Sequence, residues 1–113
     1  MNLTTDHVHD IVVVRVGEPR LIYPILSGFA EAVSALFKAG DRKVILDLSR
    51  VDYVDSASIG CLMDLYRQAA AVGGALKVAG VRKRVETMLT MTGAQHFIEL
   101  HPDEASAMKS FGG

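Results

Sequence analysis

Short apolar runs alternate along the chain with longer segments whose apolar residues recur at helical spacing. Val12–Val14 with Val16, and later Val44–Leu48, are apolar runs of strand length. Between them, Pro24 is suited to the first helical position and Gly40 to a left-handed C-cap. The apolar positions of this helix are spaced three or four residues apart: Ile25, Phe29, Val33, Leu36 and Phe37. The pattern therefore predicts a strand–helix–strand unit.

The same alternation continues towards the carboxyl terminus. A second helix is predicted before the Gly73–Gly74 pair and a strand over Ala75–Ala79 after it. A third helix ends at Gly93, a short strand follows over His96–Leu100, and Pro102–Glu104 begins a last helix. The apolar face of the second helix is predicted to contain Ile59, Leu62, Met63, Tyr66 and Ala70, and that of the third Val81, Val85, Met88, Leu89 and Thr92.

Strands and helices that alternate with short connections are typical of a mostly parallel sheet. At the start of the chain, Asn2–Asp6 is expected to pair as a hairpin with the strand that begins at Ile11. The predicted fold class is thus α/β: one small domain over residues 1–113, with a mixed, mostly parallel sheet of four to five strands and about four helices. The chain shows no linker, repeat or low-complexity segment.

The carboxyl ends of parallel strands meet at one edge of a sheet, so the loops that leave them gather there. Three segments are expected to meet at this edge: Gly17–Tyr23, Ser49–Ser56 and Gly80–Arg82. Binding sites of α/β proteins are found at this edge. We therefore expect the functional residues in these three segments.

The charge balance and the cysteine content argue against a nucleic-acid binder and against a secreted, disulfide-bonded protein. The 113 residues include 12 Lys and Arg against 13 Asp and Glu, a net charge of -1, which argues against a general nucleic-acid binder. The single cysteine, Cys61, cannot form an internal disulfide, and Met1–Asp10 lacks the apolar core of a secretory signal. We expect a cytoplasmic protein without a membrane-spanning helix.

Hydroxyl and carboxyl side chains are concentrated where the middle loop enters the second helix. Asp55, Ser56 or Ser58 can cap a free backbone N–H group there, which contributes on the order of 1 kcal/mol. The position also suits a phosphate on a serine, because the free N–H groups and the helix dipole favour negative charge. Asp55 would oppose that phosphate by like-charge repulsion. Capping is the more frequent role, and the spacing alone leaves both open.

Other polar residues give weaker signals. The four histidines are scattered, without a third ligand or a carboxylate cluster to complete a metal site: His7, His9, His96 and His101. Cys61 is expected to be a half-buried apolar residue. Arg82–Arg84 either forms a solvated face or holds an anion. Because no nucleophile, acid–base pair or phosphate-binding glycine loop is present, we expect no catalytic residue, no metal, no cofactor and no enzymatic activity.

Three stretches around the middle loop resemble a known family, the STAS domain family of bacterial anti-sigma factor antagonists. They are Val44–Ser49, Val51 and Val54–Gly60. In that family a Val-Ile-Leu-Asp-Leu strand leads to an Asp-Ser-Ser/Thr-Gly-Leu-Gly motif at the start of a helix. The Gly73–Gly74 break, the strand Leu76–Val78 and the helix that ends at Gly93 are similar to the family's next segments. The resemblance extends from about Ile11 to Met108.

The resemblance implies a phosphorylation-controlled protein-binding module rather than an enzyme. In the family, the serine after the aspartate is phosphorylated by an anti-sigma factor that is itself a serine kinase, and here that serine is Ser56. The unphosphorylated form binds the kinase and so frees the sigma factor for transcription. A PP2C-type phosphatase restores this form. The implied partners are thus the kinase and the phosphatase, with no nucleic acid.

Two departures from the family pattern leave alternatives open. Ala57–Ser58 stands where the family has Ser or Thr followed by Gly, so Ser58 is an alternative phosphate acceptor. Arg20 stands where the first loop of the family has an acidic residue. The implied partner-binding residues are Asp55, Ser56, Ala57, Ser58, Ile59, Gly60, Glu18 and Arg20. A second hypothesis is a scaffold subunit of a stress-signalling or lipid-transport complex without a phosphate switch, and a homodimer is also left open.

Overall fold

The computed structural model describes residues 1–112. The elements are β1 (Leu3–Val8), β2 (Ile11–Val16), β3 (Arg20–Leu21), α1 (Leu26–Lys38), β4 (Lys43–Asp47), β5 (Tyr53–Val54), α2 (Ser56–Ala71), β6 (Ala75–Ala79), α3 (Lys83–Met91), β7 (Leu100–His101) and α4 (Glu104–Ser110). Two 3₁₀ turns, Tyr23–Ile25 and Ala94–His96, precede α1 and follow α3. None of these helices is long and apolar enough to cross a membrane.

Five strands form the main sheet in the order β1-β2-β4-β6-β7. β1 is antiparallel to β2, and every other pair in this sheet is parallel. The predicted mixed, mostly parallel sheet with four helices is therefore confirmed, and so is the amino-terminal hairpin. A separate two-stranded ribbon pairs β3 with β5 in parallel, Arg20 beside Tyr53 and Leu21 beside Val54. Strands of two residues are too short to show a period of two, so the sequence did not predict this ribbon.

The sheet is covered by helices on both faces. On one face, Val12, Val14 and Val16 of β2 share a large core with residues of α1, α2 and α3 such as Phe29 and Leu62. On the other face, Ala107 of α4 packs in a smaller cluster with four strand residues: Ile11, Val13, Ile45 and Ala79. Because β2 is buried on both faces, its sequence is a continuous apolar run rather than an alternating one.

The start of α1 and the buried face of α2 differ from those predicted. α1 begins at Leu26, and Pro24 lies in the 3₁₀ turn before it, whereas Gly40 has the expected positive φ of 107°. In α2, Leu65 and Ala69 are buried and Ala70 is exposed, so the assignment of Ala70 to the buried face was wrong. α2 packs beside α1, and at the exposed border of this contact Ser34 Oγ donates to Gln68 Oε1 at 2.8 Å.

The last strand of the sheet is also shorter than predicted. The chain turns after Gly93, with the N–H groups of His96 and Phe97 donating to the carbonyls of Gly93 and Ala94. This 3₁₀ turn includes His96, the first residue of the predicted strand His96–Leu100, and β7 begins only at Leu100. The apolar residues Phe97 and Ile98 suggested a strand, but only Ile98 is buried, and Phe97 is 58% exposed.

A buried lysine joins the end of α4 to the sheet. Lys77 lies in the middle of β6 and is only 7% exposed. Its Nζ donates to Ser110 Oγ at 2.8 Å and to the Ser110 carbonyl at 3.2 Å, and it lies 4.2 Å from the Phe111 ring centroid. Glu99 provides a carboxylate at 3.4 Å. The side chain of Lys77 thus binds the end of α4 through hydrogen bonds to Ser110 and a cation–π contact with Phe111.

Replacing Lys77 by alanine is expected to lower the free energy of unfolding by about 1–3 kcal/mol, because it removes both the hydrogen bonds and the packing beneath Phe111. Lys77→Met, which keeps the aliphatic stem, should lose less. Exposed Lys109 on α4 offers the control, and Lys109→Ala should change the stability little. Urea unfolding followed by circular dichroism measures all three variants. Equal stability of Lys77→Ala and the unmodified protein would rule out this role.

Candidate functional site

The three segments predicted to meet at the sheet edge do meet there. The N–H of Asp52 donates to the carbonyl of Pro19 at 2.7 Å, which joins the first segment to the middle one. Arg82 Nε donates to the carbonyl of Ser49 at 2.8 Å, and its guanidinium forms an ion pair with Asp52. The β3–β5 ribbon adds backbone pairing between the first two segments. The edge is therefore a connected surface.

Asp55 and Ser58 form a capping box at the start of α2. Asp55 Oδ1 accepts a hydrogen bond from the N–H of Ser58 at 2.8 Å. In return, Ser58 Oγ accepts from the N–H of Asp55 at 2.9 Å and donates to the Asp55 carbonyl at 2.7 Å. Ser58 is fully buried. These two side chains thus accept hydrogen bonds from two backbone N–H groups at the amino end of the helix. The sequence predicted this capping role for Asp55, Ser56 or Ser58.

The second carboxylate oxygen of Asp55 connects the helix to the first loop. Asp55 Oδ2 accepts from the N–H of Tyr23 at 2.9 Å. This hydrogen bond lowers the pKa of Asp55, the contacts with Ser58 lower it further, and partial desolvation opposes them. The carboxylate is therefore charged at neutral pH and is shared between two backbone donors.

Ser56 is left without a structural role at this helix end. It is the first residue of α2, is exposed, and its hydroxyl forms no hydrogen bond within residues 1–112. It lies at the rim of a shallow recess of about 280 Å³ whose other walls include Ile59, Met63 and Phe97. The hydroxyl is thus open to solvent and to a partner.

The remaining predicted partner-binding residues differ in accessibility. Ala57 and Gly60 are exposed and line a groove of about 560 Å³ between α1 and α2, whereas Ile59 is buried in the core. Glu18 Oε2 accepts from the N–H of Asn2 at 2.6 Å. Arg20 is exposed, with its guanidinium carbon 5.3 Å from the ring centroid of Tyr53. All eight residues belong to the two neighbouring segments at this edge or to the first turns of α2.

Two residues of this edge were not selected from the sequence. Asp52 holds Arg82, and Tyr53 supports Arg20, so both organise the surface around the loop. Neither has a motif or a spacing that marks it, and only the pairing of β3 with β5 brings Tyr53 beside Arg20. The contact between Asp52 and Arg82 joins residues 30 positions apart in the chain.

The histidines and the cysteine do not form a site. Within residues 1–112 no group of three His, Cys, Asp or Glu side chains is placed to hold a metal ion. His7 contacts Asp41 at 3.2 Å, and His101 contacts Glu99 at 3.0 Å, in separate parts of the sheet. Cys61 is half-buried, and burial, followed by the charge of Asp64, raises the pKa of its thiol. A raised pKa disfavours the reactive thiolate.

Comparison with known protein families agrees with this architecture. Residues 2–107 match the family model of the STAS domain, which is nearly the whole chain. The protein belongs to the STAS domain family. A relative from Thermotoga neapolitana, named as a candidate anti-sigma factor antagonist, is 27% identical over 74 residues, which cover 66% of each protein. The matched part of this protein thus covers slightly less than two thirds of the relative's length.

Solved structures show the same fold. A candidate anti-sigma factor antagonist from Thermotoga maritima superposes with a TM-score of 0.87 at 22% identity, over 96% of this STAS protein and 92% of that chain. The phosphorylated form of SpoIIAA, a Bacillus cell fate determinant, superposes with a TM-score of 0.73 at 16% identity, over 97% and 99% of the two chains. At these identities the likeness establishes the fold of the STAS protein and leaves its partners to be inferred.

The capping box predicts different effects for the two serines of this STAS domain. Ser58→Ala should lower the free energy of unfolding by about 1–2 kcal/mol, because it leaves the part-buried N–H of Asp55 without its acceptor. Ser56→Ala is the matched control and should change it by less than about 0.5 kcal/mol. Urea unfolding of both variants measures the difference. Similar losses for the two variants would show that Ser56 also caps the helix.

The lowered pKa of Asp55 predicts a stability change with pH. Because its pKa is lower in the folded state, its stabilising effect is complete above the unfolded-state pKa of about 3.9 and is lost as the pH falls through the folded value. Asp55→Asn does not titrate, so the stability difference between the two proteins should be larger at pH 7 than at pH 3. Urea unfolding at both pH values tests this. The other acidic residues are common to both proteins, so a difference independent of pH would contradict the assignment.

Proposed function

We propose that this protein is an anti-sigma factor antagonist that phosphorylation at Ser56 switches off. In this proposal, the unphosphorylated form binds an anti-sigma factor that is a serine kinase and so frees a sigma factor for transcription. The kinase transfers phosphate to Ser56 and a PP2C-type phosphatase removes it. The protein is then the substrate of these enzymes and has no catalytic activity of its own. The exchange takes place in the cytoplasm.

The observation that carries this proposal is the different placement of Ser56 and Ser58. Ser56 is exposed with an unoccupied hydroxyl, and a kinase can reach it without unfolding the helix end. The Ser58 hydroxyl is buried and engaged in two hydrogen bonds with the backbone of Asp55, so its phosphorylation would require the capping box to open. Ser56 is therefore favoured over Ser58 as the acceptor.

The start of α2 can accommodate a phosphate on Ser56. The first N–H groups of a helix and its dipole stabilise negative charge. Asp55 is the opposing charge, but its two oxygens already accept hydrogen bonds from the N–H groups of Tyr23 and Ser58. These donors compensate part of the carboxylate charge and so reduce its repulsion of a phosphate next to it.

The charge of a single phosphate is sufficient to release a partner. It adds a charge of about -1.5 to -2 at neutral pH. A weakening of binding by about 2.7 kcal/mol corresponds to a hundredfold change in affinity, and a charge buried without compensation in an interface costs at least this much. We place the contact surface on the exposed residues Ser56, Ala57 and Gly60, with Glu18 and Arg20 of the first loop beside them. Ser58 and Ile59 support this surface from below.

Phosphorylation by the candidate kinase tests the proposal. A serine kinase encoded near this protein, with the ATPase fold of histidine kinases, is the first enzyme to assay. With ATP, the unmodified protein should gain one phosphate, which mass spectrometry locates on Ser56. Ser58→Ala should still be phosphorylated after circular dichroism has confirmed its fold, whereas Ser56→Ala should not. Full incorporation of phosphate into Ser56→Ala would exclude Ser56 as the acceptor.

The same preparation separates the switch from the scaffold alternative. A scaffold subunit of a stress-signalling or lipid-transport complex would keep a stoichiometric partner whether or not Ser56 is phosphorylated. Purification of the native complex from cells with an active kinase and from cells without it, followed by quantification of the partner, distinguishes the two. The switch predicts that the partner is lost from the phosphorylated protein.

A further inference from the structure

Cationic side chains are concentrated at the edge that carries Ser56. Its three segments, extended into the first turn of α3, cover residues 17–23, 49–56 and 80–84. They contain five of the 12 Lys and Arg residues of the chain but only three of its 13 Asp and Glu residues. The rest of the chain holds seven cationic residues against ten acidic ones. The three segments thus carry a net charge of +2 in a protein whose net charge is -1.

The three carboxylates of this edge are already occupied by donors within the chain. Glu18 accepts from the backbone N–H of Asn2. Asp52 is paired with Arg82, and Asp55 accepts from the backbone N–H groups of Tyr23 and Ser58. Each carboxylate of the edge therefore already accepts at least one hydrogen bond from within the chain.

Most of the cations of the edge, by contrast, have no acidic partner. Within residues 1–112, four exposed side chains of the edge form no ion pair: Arg20, Arg50, Lys83 and Arg84. The guanidinium carbon of Arg20 lies over the ring of Tyr53, 5.3 Å from its centroid, and the guanidinium N–H groups of Arg20 donate to no acceptor within residues 1–112. The unused binding capacity of this edge is therefore for anions.

Arg20 and Arg84 share one concave surface. Together with Pro19, Asp52 and Tyr53 they line an open recess of about 480 Å³ between the β3–β5 ribbon and α3. An arginine side chain binds a carboxylate through two parallel N–H donors, so two arginines on one recess fit a short run of Asp or Glu side chains.

We infer that this edge is a docking surface for an acidic segment of a protein partner. The inference rests on the proposed function for the identity of the edge and adds the chemistry of the partner surface. A protein partner fits better than a nucleic acid, because a nucleic-acid site usually provides six to ten phosphate contacts, whereas this edge has four free cations among three carboxylates.

The positive edge also explains how a phosphate on Ser56 would act. The edge has five cationic and three acidic side chains, and a phosphate adds about -1.5 to -2. One phosphate thus cancels nearly all of the positive excess of the edge. An acidic partner loses its attraction to the surface in addition to meeting the phosphate itself.

An acidic peptide tests the inference without the kinase or any phosphate. A twelve-residue Glu-Gly repeat is titrated into the ¹⁵N-labelled, unphosphorylated protein at low salt, with a Gln-Gly repeat as the neutral control peptide. Chemical-shift changes should cluster at Arg20, Tyr53 and Arg84 and weaken as salt is added. The double variant Arg20→Gln/Arg84→Gln should bind about three- to tenfold more weakly, as expected for the loss of two exposed ion pairs. The corresponding lysine variant should keep part of the affinity.

The double variant Lys38→Gln/Arg67→Gln supplies the matched control, since it also removes two exposed cations, from α1 and α2, without touching the edge. Shifts spread evenly over the exposed cations, or equal losses from the two double variants, would overturn the inference. Parallel titrations use phosphatidylglycerol–phosphatidylcholine vesicles and a single-stranded DNA 12-mer. If the vesicles or the DNA bind the same residues more tightly than the acidic peptide does, the ligand of this edge is a membrane or a nucleic acid and the proposed protein partner is wrong. None of these outcomes depends on phosphorylation of Ser56, so the proposed function is tested separately.

Discussion

The carboxylate of Asp55 is the contact on which the functional edge depends. One oxygen closes the capping box of α2 through the N–H of Ser58, and the other holds the first loop through the N–H of Tyr23. The first loop then reaches the middle one through the β3–β5 ribbon, and Asp52 extends the connection to Arg82 at the start of α3. Three segments far apart in the chain thus become one surface through the two hydrogen bonds accepted by Asp55, the β3–β5 ribbon and the ion pair between Asp52 and Arg82.

The two serines at the start of α2 differ in their structural role. Ser58 is buried and gives both its donor and its acceptor to the backbone of Asp55, so the helix end is satisfied without Ser56. A phosphate on Ser56, as proposed, would not replace any hydrogen bond of the capping box. A regulatory site needs this independence, since a residue that also capped the helix would destabilise the domain each time it was modified.

The alternation of apolar runs was sufficient to predict the sheet, its four helices and the edge where the loops meet, because periodicity records which positions are buried. It could not predict which hydroxyl caps α2, since Asp55, Ser56 and Ser58 all stand within one turn and the true helix start decides between them. Lys77 gave no signal of burial, because its partner Ser110 lies 33 residues away. The strand predicted over His96–Leu100 was too long because a 3₁₀ turn after Gly93 is also compatible with its apolar residues.

In the proposed switch, a phosphate on Ser56 changes the charge of an otherwise unchanged fold. Phosphoserine inserted at position 56 during translation tests this directly, by calorimetric titration of the modified and unmodified proteins against the candidate serine-kinase anti-sigma factor. The modified protein should bind at least about a hundredfold more weakly, and its Ser58 amide should stay protected from hydrogen exchange, which reports an intact capping box. Equal affinity of the two proteins, or loss of the capping box on modification, would contradict the proposed switch.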